Sequence, residues 1–287
     1  MGQAVVSDQR LPVRLRQGLN VESGLNDGIA LPVVTVLIAI VGAELGDAAA
    51  GAGSWVAFAA EQVGFGVLAG VVIGAVGAVA LTRAGAAGAI EGVFRQLAAI
   101  SVAVAAYAGA SLLDGNGFMA AFVAGLVFGH LAAEECAAVV DFTQDEGELL
   151  TAITFTVFGA SLVGPLLDEF TWQIVLYAVL SLTVVRIAPV LLAMSGTGTL
   201  LETRVFTGWF GPRGLASILF ALLVLEELAG PGIDTVVATV LCTVLLSVYA
   251  HGATASWWTA RLARRLEDID DDVPEMGPAT EMPTRGG

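Results

Sequence analysis

Apolar windows about 20 residues long recur through this sequence at roughly 22–42, 62–82, 93–113, 117–133, 148–167, 170–194, 204–228 and 233–258, each close to the length a helix needs to cross about 30 Å of hydrocarbon. Inside a bilayer every backbone N–H and C=O must be satisfied within the protein, and a single apolar window does so as a helix. The spacing predicts an all-α polytopic membrane protein with about eight transmembrane helices. Composition agrees, since 56% of the residues are hydrophobic and 14% are charged, against about a quarter charged in soluble domains.

The first window opens on polar residues. In Gly18-Leu19-Asn20-Val21-Glu22-Ser23-Gly24-Leu25-Asn26-Asp27-Gly28, a helix beginning at 22 steps about 100° per residue and puts Glu22, Ser23, Asn26 and Asp27 within an arc of about 140°. In a soluble chain Asn-Asp-Gly reads as a turn. In a membrane chain, carboxylates facing hydrocarbon cost several kcal/mol, so they face a bundle interior or an aqueous cavity and mark an ion path.

Orientation follows from the positive charges, which collect in cytoplasmic loops. The chain has 12 Arg and no Lys. With eight spans, Arg10, Arg14, Arg16, Arg83, Arg95, Arg204, Arg261, Arg264, Arg265 and Arg285 fall on one side, and acids such as Glu44, Asp47, Asp168 and Glu169 fall on the other. Both termini are therefore expected in the cytoplasm. Residues 1–20 read as a cytoplasmic connector, the remnant of a helix lying upstream. Residues 21–258 form the transmembrane region, and 259–287 read as an acidic, Pro-bearing disordered tail with too little apolar surface to fold.

Within the spans, Gly66, Gly70 and Gly74 repeat every four residues, the small-residue pattern that lets two helix backbones approach closely. Asp114-Gly115-Asn116-Gly117 predicts a turn. Two arginines stand inside spans. Arg186 either reaches for the interface along its own stem or pairs with an acid in the bundle. Arg213 lies in Gly211-Pro212-Arg213-Gly214, where Gly and Pro interrupt the seventh span. A break at membrane depth is tolerated where it lines a cavity or is buried in protein, and secondary transporters build ion sites from such discontinuous helices.

Several classes are disfavoured. A formal charge of −15 argues against nucleic-acid binding. Cys136 and Cys242 do not make a disulfide framework. No His-Glu-x-x-His, Gly-x-Ser-x-Gly or metal-spaced Cys/His cluster occurs, so an enzyme, a resident metal or another cofactor is not expected. A channel or solute permease remains the alternative to an exchanger.

Glu22-Ser23-Gly24-Leu25-Asn26-Asp27-Gly28 behind an Arg-rich connector, with Gly211-Pro212-Arg213-Gly214 on a late broken span, resembles the monovalent cation:proton antiporters of the NhaP/NHE branch. The Gly-rich stretch from Gly115 to Gly129 looks like that family's scaffold span, so the likeness covers nearly all of residues 1–258. It implies an inverted-repeat fold and an elevator-type exchanger of sodium or potassium for protons, a homodimer of the plasma membrane in contact with lipid. It further implies that Asp27 binds the cation or the proton, that Asn26, Glu22 and Ser23 assist, and that Arg213 pairs with Glu22. The Asn-Asp form implies electroneutral exchange. Family members carry a Thr-Asp helix ahead of the Asn-Asp helix, so the sequence is expected to correspond to the C-terminal two-thirds of an antiporter, one that as a fragment is inactive.

Overall fold

The computed structural model describes residues 5–45, 52–90, 93–133, 147, 149–211, 214–267, 269 and 273–278. Among them the chain is helical throughout, with no strand. The helices are α1 (Val13–Leu45), α2 (Ala52–Ala86), α3 (Val93–Ser111), α4 (Gly117–Leu131), α5 (Leu149–Glu169), α6 (Trp172–Leu182), α7 (Val184–Ala193), α8 (Leu201–Trp209), α9 (Leu215–Glu227) and α10 (Ile233–Glu267). By length and composition, Ala60–Ala86, Leu149–Glu169, Trp172–Ala193 and Ile233–Glu267 can cross a membrane. Ala30–Gly42, Leu97–Ser111 and Gly117–Leu131 are shorter apolar helices. The expected seventh span is split between α8 and α9, at the Gly-Pro interruption. Large apolar side chains stand open along these helices, among them Phe94 at 77% and Leu192 at 74% exposure. Water would penalise such a surface, whereas lipid covers it.

Two compact units divide the chain. The first consists of residues 1–27 with 154–287, and the second of residues 28–153.

In the second unit, α2, α3 and α4 pack together. The glycine repeat is the contact: a Cβ at Gly66, Gly70 or Gly74 would lie 2.7, 2.6 and 2.7 Å from the backbone oxygens of Asn116, Ala120 and Ala124. Asn116 caps α4, its side-chain oxygen accepting the Met119 N–H at 2.9 Å, and its amide donates to Thr35 Oγ1 at 3.2 Å. The predicted turn precedes it, with Asp114 at φ 55°. Gly70→Leu is expected to force α2 off α4 and lower the melting temperature in detergent, by about 1–3 kcal/mol of overpacking. Gly64→Leu is the matched control, because a Cβ there meets no described atom within 4 Å. Equal melting temperatures for the two variants would remove this contact from the fold's stability.

In the first unit, Val5, Leu11, Leu15 and Leu19 bury against Phe206, Phe210, Leu262 and Leu266. α1 starts at Val13 rather than near 22, so much of the expected connector is helix. Pro12 supplies the reason, since it pre-sets the backbone of a first turn and its carbonyl accepts the Arg16 N–H at 3.1 Å. Just upstream, the Arg10 guanidinium hydrogen-bonds Asp8 and holds its carboxyl below the usual carboxylate range. That contribution is present at neutral pH and is lost as acidification protonates Asp8.

Part of the expected tail is helical among the described residues. α10 continues to Glu267, and Pro274–Met276 forms a 3₁₀ turn in which Glu275, 3% exposed, accepts the Leu200 N–H at 2.7 Å. Arg14 donates to the Pro274 carbonyl at 2.9 Å. Composition assigns this segment to solvent, but one carboxylate answering an orphan N–H at the start of α8 is enough to seat it.

Candidate functional site

Glu22 lies well inside α1, where the buried stripe Leu15–Leu19 continues to position 22 at helical spacing. The stripe that anchors α1 in the core therefore carries the carboxylate inward. α1 is continuous through position 27, and its register keeps positions 22, 23, 26 and 27 on one arc of about 140°. Ser23 is exposed on that arc. The side chains of Asn26 and Asp27 lie outside the described residues.

The second component comes from a bend between α6 and α7. Thr183 Oγ1 donates to the Val179 carbonyl at 2.6 Å, a back-bond that bends helices. Pro189 removes a backbone donor inside α7. Thr183 leaves helical geometry at φ −107°, ψ −85°, and Arg186 follows one turn later. Its Nη2 donates to Glu22 Oε1, forming an ion pair between residues 164 apart in sequence. The Arg186 side chain is 16% exposed and that of Glu22 30%. Of the two readings open for Arg186, pairing with an acid in the bundle is the one observed.

The third component is the break. α8 ends at Trp209 and α9 starts at Leu215. Gly211 lies against Arg186, whose guanidinium occupies the space that a Cβ at 211 would need. A Cβ at 211 would therefore displace the guanidinium from this place, so glycine here serves a close approach. Arg186 Nε is buried with no hydrogen-bond partner among the described residues. Pro212 and Arg213 lie outside the described residues, and with them the pairing of Arg213 with Glu22 implied by resemblance; among the described residues Glu22 meets Arg186.

The break is also held from α10. His251, 1% exposed, places Nε2 2.8 Å from the Trp209 carbonyl oxygen. Sequence reading passed over this histidine. The available signal was the four-residue repeat Ser247, His251, Ala255 and Thr259, all on the buried face of α10.

Among the described residues no group of three or more His, Cys, Asp or Glu could hold a metal. What the three elements assemble is a paired acid and cation beside an interrupted helix, and discontinuous helices are how secondary transporters build ion sites.

No solved structure matches the chain. Residues 1–261 match the family model described as sodium/hydrogen exchanger, transmembrane. Spanning nearly the whole sequence, that match agrees with the apolar helices, and the chain belongs to the sodium/hydrogen exchanger family.

Proposed function

We propose that the exchanger to which this sequence belongs moves sodium or potassium against protons, one for one, across the plasma membrane, as a homodimer with both termini of this chain cytoplasmic and by elevator-type alternating access, and that residues 1–287 alone, as a fragment, are inactive. The observation that carries this reading is the Glu22–Arg186 pair beside the break at Gly211. An exchanger needs a site where a proton and a metal cation compete, and a carboxylate with oxygen neighbours suffices. Glu22 already holds a guanidinium, which does not lose its proton in proteins. The competing carboxylate in this reading is Asp27, five residues further along the same helical arc, with Asn26 and Ser23 assisting and Arg213 lying at the break.

The test uses everted vesicles from an antiporter-deficient bacterial strain expressing either residues 1–287 alone or an N-terminally extended form, with an acridine dye reporting an imposed proton gradient. Adding sodium or potassium chloride is expected to restore fluorescence with the extended form, and vesicles carrying residues 1–287 alone or neither protein are expected not to respond. Cation flux indifferent to the proton gradient would identify a channel and overturn exchange.

A further inference from the structure

His251 is tied to the break more closely than packing requires. Its Nε2 lies 2.8 Å from the Trp209 carbonyl oxygen, and its Nδ1 lies 2.8 Å from the Ser247 carbonyl oxygen and 3.0 Å from Ser247 Oγ. A carbonyl only accepts, so a neutral ring can donate to just one of these two carbonyls; in the tautomer that donates from Nε2 to Trp209, Nδ1 accepts from the Ser247 hydroxyl. The Trp209 ring lies over the imidazole, with centroids 4.9 Å apart, and its indole N–H donates to Thr254 Oγ1 at 2.9 Å. α10 therefore grips the last residue of α8 by its carbonyl and by its side chain.

That residue is where the helix stops. Carbonyls in the final turn of a helix have no partner from their own ladder, and an unsatisfied one at membrane depth costs several kcal/mol. The Trp209 oxygen takes two donors, the Gly211 N–H at 2.9 Å and His251. Gly211 in turn is covered by the Arg186 guanidinium, which bonds Glu22. A continuous chain of contacts thus runs from His251 through Trp209, Gly211 and Arg186 to Glu22, all within one compact unit.

We propose that His251 is a positioning residue for exchange: its Nε2–H, donated to the Trp209 carbonyl, sets where the break begins and so where Gly211 lets Arg186 meet Glu22. This inference rests on the exchange reading above.

Three variants separate this role from packing. His251→Gln keeps an N–H near the position of Nε2. His251→Asn is polar but too short to reach Trp209, and His251→Leu fills the space without a donor. In the vesicle assay on the extended form, normalised to inserted protein, Gln is expected to stay within about twofold of wild type, whereas Asn and Leu raise the half-saturating cation concentration or lower the maximal rate by about tenfold, the size of effect that follows from losing one buried hydrogen bond. Leu at the wild-type rate, or Gln as impaired as Asn, overturns the proposal. If Leu does not insert, the comparison of Gln with Asn decides alone.

A wild-type extended form that does not exchange defeats the exchange reading and leaves the contact chain to be read from stability. There, His251→Leu and Arg186→Gln are expected to change the melting temperature non-additively. Additive changes overturn the positioning role.

Discussion

Vesicles carrying Asp27→Asn in the extended form are expected to show no cation-induced recovery of dye fluorescence, a fall in exchange of about a hundredfold or more, equivalent to ~2.7 kcal/mol. The substitution preserves shape and removes the one property that competition needs, a charge that either a proton or a cation can neutralise. Position 27 shares the helical arc of α1 with Glu22. Glu22 already has Arg186 as its partner, so in the proposed mechanism it cannot replace the lost charge without breaking that pair. Exchange at the wild-type rate in Asp27→Asn would remove Asp27 from the mechanism.

The second large effect concerns the pair itself. Removing one member of a buried ion pair leaves the other charge uncompensated, at about 3–5 kcal/mol. Glu22 and Arg186 keep some exposure, 30% and 16%, which puts the expected loss near the lower end, ~3 kcal/mol. Glu22→Gln and Arg186→Gln should each lower the melting temperature in detergent, and the double variant should recover part of the loss. The same cycle with Arg213→Gln separates the two arginines. Strong coupling of Glu22 to Arg213, with additive behaviour toward Arg186, would contradict the pairing described here.

The largely local features were legible without coordinates. An apolar run of 20 residues can satisfy its backbone in lipid only by closing its own hydrogen bonds, so the positions of the helices follow from the sequence. Gly66, Gly70 and Gly74 expose backbone at every fourth residue whatever lies opposite, so their packing role was readable before α4 was identified as the partner. Gly211, Pro212 and Gly214 weaken a helix wherever they stand, and α8 and α9 separate around them. The arc of positions 22, 23, 26 and 27 is likewise a property of helical periodicity alone.

What only the tertiary structure decided is which of these local features meet. The resemblance pairs Glu22 with Arg213, which lies outside the described residues. That Arg186 meets Glu22 depends on how the bend at Thr183 aims α7 and on Gly211 leaving room for its guanidinium. The repeat around His251 marks a buried face, but its partner is set by α10 laying it against the last carbonyl of α8. The seating of Pro274–Met276 is a similar case, since a carboxylate in an acidic tail gains a partner only where an orphan N–H at the start of α8 lies within reach. Sequence determines what each segment must satisfy locally. Packing determines which distant group satisfies it, because burial removes water as the alternative partner and leaves the nearest protein group to supply the bond.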